Sequence, residues 1–380
     1  MRKQLLMIPG PTPCPDVVLR ALATQMINHR GPEYMALQRE LIAGLQEAFR
    51  TKNDCMIFPA SGTGGMEAAI VNTLSPGDRV LAVVIGAFGD RFAQIAAAHG
   101  AGVQRLDVEW GRAVDPGKVA EILRGDRDRT IRAVLITHNE TSTGVLNDIR
   151  AVAGIVREHG ALLMVDSISG MLTAELETDA WGLDVVVAGS QKAFMIPPGL
   201  TFVSISPRAW EAHRTARMGR FYFDFSLMRR SMEKDQTPYT PALPQLYALR
   251  ESLAIIRAEG RAAMVARHRR LAVACRAGAA ALGLQPLAEE RSFSHSVTAI
   301  RNPPGIEGKT LRQRLRERHG VIVAGGQGPL MEAIFRIGHL GYVDSTDLTA
   351  TFAALEESLA ALGHSVQPGC GVAAVAQALA

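Results

Sequence analysis

The chain predicts an α/β fold: a mainly parallel sheet covered on both faces by helices, followed by a smaller α+β unit. Three observations carry this. From about residue 54, short runs rich in Val, Ile and Leu alternate with amphipathic segments, as parallel strands buried on both faces do. Helix ends such as HGA at 99–101 and EHGA at 158–161 place glycine where a left-handed C-terminal turn needs it. After residue 240 the alternation gives way to a long helical stretch and then short strands. With 380 residues, two packed units are the natural expectation.

The elements follow in order. DCMIFPA (54–60) reads as a strand, GGMEAAIVNTL (64–74) as a helix stopped by SPGD, RVLAVVI (79–85) as a strand and DRFAQIAAAHG (90–100) as a helix. AGVQRLDV (101–108) is a strand, DPGKVAEILRG (115–125) a helix, IRAVLITH (131–138) a strand, NDIRAVAGIVREHG (147–160) a helix and ALLMVDS (161–167) a strand. LDVVVAG (183–189) and LTFVSIS (200–206) complete the strand series. Residues 245–283 read as one long helical stretch leading toward the second unit. SHSVTAIRN (294–302) and HGVIVAGG (319–326) read as short strands, and LTATFAALEESLAALG (348–363) as a closing amphipathic helix. The tail VQPGCGVAAVAQALA (366–380) receives no packing assignment.

Composition narrows the function classes. Hydrophobic residues at 47% permit a large core, and charged residues at 21% are ordinary for a soluble protein. The net charge of +4 comes with no dense basic block interleaved with aromatics, and Arg267, His268, Arg269 and Arg270 read as one polar turn of a helix. That argues against nucleic acid as a partner. Cys14, Cys55, Cys275 and Cys370 lack the spacing of a disulfide framework or a zinc site, so no metal is expected and a cytoplasmic location fits. No apolar run reaches the length of a membrane span, and MRKQLLMIPGP is a poor signal peptide.

Open parallel sheets bind ligands at the carboxyl ends of their strands, so the residues just past each strand carry the functional reading. Ser61-Gly62-Thr63-Gly64-Gly65 opens a helix; it is either a plain glycine-rich turn or an anion cradle, where backbone N–H groups and the helix dipole meet a phosphate. Phe88, between small residues in GAFG, either stacks on a flat ring or joins the core. His138 to Gly144 form a polar loop that includes Thr141. Asp166 directly follows a buried apolar run, as a helix cap or as the partner of a cationic ligand group. Lys192 sits in AGSQKAFMIPPG, a stiff turn after LDVVV, and is either a lysine reaching solvent from a strand end or a delivered amine. Together these elements describe one ligand: a flat ring, a phosphate, a ring nitrogen needing a counter-charge and an aldehyde needing an amine. That ligand is pyridoxal 5′-phosphate.

On the words MIPGPTP, PASGTGGMEAA, GAFGDR, THNETSTGVLND, LLMVDSISG, GSQKAFMIPPGL, TPYTPALPQLYALRESL and IFRIGHLG, the chain resembles the class V, fold-type I aminotransferases, in particular the alanine–glyoxylate and serine–glyoxylate group, from about residue 5 to 362. The resemblance implies a seven-stranded, mainly parallel sheet in a large cofactor-binding domain (21–260), an N-terminal arm (1–20) and a small C-terminal domain (261–380). It makes Lys192 the Schiff-base lysine, Asp166 the partner of the pyridine nitrogen and Phe88 the stacking ring. Ser61, Gly62, Thr63 and Gln191 would cradle the phosphate, and Thr141 would bond the ring's hydroxyl side. Thr240, with Thr237 as a weaker candidate, would reach the phosphate of a second subunit in a homodimer. Arg336 would bind the substrate carboxylate, and Gly10 would help close the pocket.

The function implied is transfer of an amino group from alanine or serine to glyoxylate. Related readings are an aspartate or phosphoserine aminotransferase, with His29 and Arg30 bordering the pocket; a cysteine desulfurase-like lyase, for which no cysteine is well placed; and a hydrogenase-associated partner subunit.

Overall fold

The computed structural model describes residues 4–380; residues 1–3 of the expected N-terminal arm lie outside the described part. The main sheet has seven strands: β1 (Asp54–Phe58), β2 (Arg79–Val84), β3 (Gly102–Asp107), β4 (Ile131–Thr137), β5 (Leu162–Asp166), β6 (Val185–Gly189) and β7 (Thr201–Ile205), in the order β1-β7-β6-β5-β4-β2-β3. From β6 through β3 all neighbours are parallel; β7 runs antiparallel to both β1 and β6. Every residue of β5, β6 and β7 is buried, which is why their sequences are continuous apolar runs rather than alternating ones. Only the edge strand β3 alternates, showing Arg105 and Asp107 to solvent, which blunts an open edge.

Helices cover both faces. One layer is built on Pro32–Phe49, Ile149–His159 and Leu243–Glu259, the other on Gly62–Thr73, Ala87–Ala98 and Pro207–Thr215. The helix Gly62–Thr73 is buried on nearly every side and so reads as apolar all round. It begins two residues earlier than its sequence pattern suggested, because Gly62 and Gly65 are packing residues. A Cβ on Gly65 would lie 2.3 Å from Thr201 Oγ1, and one on Gly62 would lie 2.3 Å from Ile168 Cδ1.

The second unit holds a three-stranded sheet, β8 (Val297–Arg301), β9 (Ala324–Gly325) and β10 (Ile334–Gly338), in the order β8-β10-β9. One sequence expectation needs correction here. The stretch 245–283 is two helices, Leu243–Glu259 and Arg261–Ala281, because Gly260 at φ 81°, ψ 136° turns the chain between them. The turn at 267–270 is helical, as the sequence reads, and one of its residues is buried. His268 is fully buried, with Nδ1 on the Met264 carbonyl (2.8 Å) and Nε2 accepting the Gly341 N–H (2.9 Å). The unassigned tail is also ordered: Cys370–Leu379 is a helix whose Val375 packs at Gly278, and the Glu356 carboxylate accepts the Gly369 and Val372 N–H groups at its start. No helix among the described residues is long and apolar enough to cross a membrane.

The N-terminal segment ties the two units together. Leu5–Leu6 pairs in parallel with Val321–Ile322, and the Gly338 N–H at the end of β10 donates to the Met7 carbonyl (2.8 Å). Five residues on, Thr12 lies against the turn that follows β6: its N–H donates to the Gln191 carbonyl (3.1 Å) and its hydroxyl to the Lys192 carbonyl (3.0 Å).

Candidate active site

Lys192 and Asp166 come from neighbouring parallel strands at their carboxyl ends. Asp166 ends β5, paired with Thr137 of β4 and Val187 of β6; Lys192 follows β6 by three residues. The turn that carries Lys192 is held at several points. Ser190 donates to the Pro197 carbonyl (2.8 Å) and accepts the Leu200 N–H (3.2 Å), Gln245 donates to the Pro198 carbonyl (2.9 Å), and Ser252 donates to the Phe194 carbonyl. Met195 sits at φ 56°, a left-handed conformation that a side chain adopts only where its surroundings enforce it. The sequence's stiff small-residue turn is thus a clamp.

Both charged groups are buried. Burial pushes the Lys192 ammonium down to a pKa of about 8; nearby Arg336 pushes the same way and Asp166 opposes. Burial pushes the Asp166 carboxyl up to about 7, against one hydrogen bond from the Ile168 N–H at 3.0 Å, while Glu140 raises it further and Lys192 and Arg91 lower it. Lys192 Nζ donates to the Pro9 carbonyl at 2.5 Å. Gly10, at φ 133°, passes so close that a Cβ would lie 2.4 Å from Nζ. Glycine there meets both the conformational and the steric demand.

Arg336, on β10, is 6% exposed. Its Nε donates to the Gly325 carbonyl (2.8 Å) and Nη1 to the Thr141 carbonyl (3.0 Å), which fixes the guanidinium and leaves Nη2 for a ligand. Burial pushes its pKa down to about 10, with Glu140 opposing, so it stays charged at neutral pH. Thr141 is buried, its hydroxyl 2.7 Å from Ser169 Oγ. Below it Asn139 Nδ2 donates to Ser169 Oγ (2.9 Å) and Ser296 Oγ (2.8 Å), a polar seam between the two units.

The residues present fit the cofactor that the sequence implies. Ser61 caps the helix Gly62–Thr73 by position, yet its side chain makes no capping bond, so the hydroxyl and the first N–H groups of the helix remain for an anion. Gln191 Oε1 is buried without a partner, and the NH2 of the same amide is the end able to donate to a phosphate. Phe88 is half-buried at the start of Ala87–Ala98. Arg91, absent from the sequence reading, lies over the Phe88 ring (5.0 Å to the centroid) and donates to Thr63 Oγ1 (3.4 Å); its spacing of three from Phe88 on one helix was the available signal. Pro9, Thr12 and Glu140 were missed as well. All three act through main-chain atoms or upon them, which residue type does not reveal.

Other candidates sit apart. Thr237 and Thr240 line an aromatic groove with Tyr34, Phe58, Tyr222 and Tyr239 that includes neither Lys192 nor Asp166. The Thr237 hydroxyl is spent on the Tyr239 carbonyl (2.7 Å), while Thr240 is exposed. Arg30 does not stand free to meet a second phosphate: its guanidinium donates to the Thr237 and Pro238 carbonyls. Cys55 and Cys275 are fully buried, and burial pushes both thiols far up, Cys275 to about 12. Burial raises the Cys14 thiol as well. None of these three has the lowered pKa of a nucleophilic thiol.

Comparison with known proteins gives the same frame. Residues 6–343 match the family described as Aminotransferase class-V. The chain is 44% identical over 379 residues to the "Soluble hydrogenase, small subunit" of a Synechococcus strain, covering 99% of this chain and 98% of that one. It is 39% identical to the L-aspartate–glyoxylate aminotransferase of Paracoccus denitrificans, covering 97% and 94%. Among solved structures, the alanine–glyoxylate aminotransferase of a Nostoc species superposes with a TM-score of 0.91 at 30% identity, covering 94% of this chain and 96% of that one.

Proposed function

The chain belongs to the class-V aminotransferases, and from that membership we propose that it moves an amino group from a small amino acid, alanine or serine, to glyoxylate. The observation that carries the reading is the buried set of Lys192, Asp166 and Arg336: the amine feels both the acid and the guanidinium. Both named aminotransferase relatives above use glyoxylate in their names, which supports it as acceptor.

The enzyme is a pyridoxal 5′-phosphate-dependent transaminase. When bound, the cofactor supplies an aldehyde that amines condense with and a ring that withdraws electrons from the donor's Cα. In the proposed mechanism each remaining task falls to this chain. Asp166 accepts the N–H of the protonated ring nitrogen. Ser61, Thr63, Gln191 and the helix N-terminus at Gly62 hold the phosphate, and Phe88 packs on the ring. Thr141 bonds the ring hydroxyl. Arg336 grips the carboxylate of donor and acceptor alike. Lys192, with an amine of pKa about 8, would carry the donor's Cα proton to the cofactor's C4′ carbon, and would make the same transfer in reverse when the acceptor is aminated. Pro9 and Gly10 wall the pocket from water, and two copies of the chain pair so that Thr240 of one reaches the phosphate site of the other.

Steady-state rates test the donor. Alanine, serine and aspartate are each varied against glyoxylate. Parallel double-reciprocal lines with the highest kcat/KM for alanine or serine support the reading. A second reading is an aspartate donor, as the name of the Paracoccus relative states for that protein. Its second carboxylate calls for a second cation. Arg312 packs against Gly325 with Nη1 buried and unpartnered, and is the residue to replace if aspartate wins.

A further inference from the structure

Glu140 is a fully buried carboxylate that none of the steps above employs. Its surroundings are unusual. The helix Ala87–Ala98 begins at Gly86, which has no side chain to cap it, so its first N–H groups need acceptors from elsewhere. Glu140 provides them: Oε2 accepts the Phe88 N–H (3.1 Å) and the Gly89 N–H (3.1 Å). Its other oxygen accepts the Ser142 N–H (3.1 Å) and the Ser142 hydroxyl (2.6 Å). Ser142 Oγ in turn accepts the Ala87 N–H (3.0 Å). Gly86 leaves the room for this, since a Cβ there would lie 2.4 Å from Glu140 Cγ and 2.5 Å from Ser142 Oγ.

The two ends of one side chain therefore join two walls. One wall is the helix turn that carries Phe88. The other is the loop carrying Thr141, whose carbonyl holds Arg336. We propose that Glu140 is a positioning residue that locks the ring-stacking helix and the Thr141 loop into one register, so that cofactor slot and substrate arginine are set together. The proposal rests on the cofactor reading above. A carboxylate suits the task because it accepts at both oxygens. In glutamine one oxygen becomes an NH2 facing N–H or O–H donors, leaving either the helix start or Ser142 unsatisfied. The charge matters as well, because Glu140 lies close enough to Asp166 and Arg336 to influence both.

The test compares wild type, Glu140→Gln and Ser142→Ala as apoproteins titrated with pyridoxal 5′-phosphate. Affinity is read by quenching of intrinsic fluorescence, and ring orientation by circular dichroism in the bound cofactor's absorption band. E140Q is expected to weaken cofactor binding by about tenfold or more, the scale of a lost charge-assisted bond, and to diminish the dichroic band. S142A, which leaves the Phe88 and Gly89 bonds in place, should show a smaller change in both. An E140Q protein with wild-type affinity and an unchanged band overturns the proposal. So does a lowered melting temperature with both cofactor readouts unmoved, which would make Glu140 a structural cap only. If wild type itself fails to bind, the cofactor reading falls instead.

Discussion

The chamber around Lys192 and the groove around Thr240 both hold residues that the sequence assigns to one active site, and they differ in how complete they are. In the chamber the charged groups are buried, tied down at several points and electrostatically coupled. In the groove Thr240 is exposed, beside Tyr222 and Phe221, the latter 77% exposed, with Tyr222 stacked on Tyr239 at 5.2 Å. An apolar aromatic cluster left in water is what a chain presents when a further surface completes it. The chamber is closed by one chain's own residues; the groove is where the proposed second copy would pack. Each prediction below breaks one side of that contrast.

The largest effect belongs to the chamber. Lys192→Ala removes the amine proposed to move the proton and should lower the transamination rate by about 10⁴-fold or more, measured as turnover with alanine and glyoxylate. No turnover in wild type and variant alike would favour the reading suggested by the hydrogenase-subunit relative, a partner protein without transaminase activity. Arg336→Lys comes next. A lysine cannot serve the Gly325 and Thr141 carbonyls and a carboxylate in one fixed plane, so kcat/KM for the donor should fall by about 10²-fold, in line with about 2–5 kcal/mol for a disrupted buried charge contact. Steady-state kinetics with and without added guanidinium checks it.

The groove predicts something smaller and concentration-dependent. Thr240→Ala should weaken cofactor retention by about tenfold, near one hydrogen bond to a charged group. Dilution of wild type below the dissociation constant of the proposed dimer should produce the same loss, read by sedimentation alongside cofactor fluorescence. An active monomer that keeps its cofactor would break the contrast. The smallest effect is a pH profile. A lysine whose pKa is lowered is neutral over a wider range. The rate at which apoprotein captures pyridoxal 5′-phosphate should therefore rise with pH and level off once pH passes about 8. A rate still climbing near pH 10 would mean that Lys192 behaves as an exposed lysine.

How much of this was legible in the sequence follows the same division. Strand ends could be read because buried parallel strands are uninterrupted apolar runs, and Asp166 and Lys192 stand just past them. The helix break at Gly260 was not legible: a single glycine inside a helical pattern costs only about 1 kcal/mol, and its φ of 81° is a tertiary fact. The buried role of His268 was hidden by three arginine neighbours. Pro9 and Thr12 act on Lys192 across some 180 residues, through a carbonyl and onto one. Glu140 lay in a polar word that resembled caps and loops, and only packing showed a carboxylate joining two walls.

The most direct test of the central claim is an absorbance spectrum of the purified protein with pyridoxal 5′-phosphate, repeated after adding alanine, serine or aspartate and then glyoxylate. The bound aldehyde form should convert to the amine form with one of the donors and return when glyoxylate is added. A protein that shows no cofactor band after reconstitution, or a band that no amino acid donor converts, would contradict it.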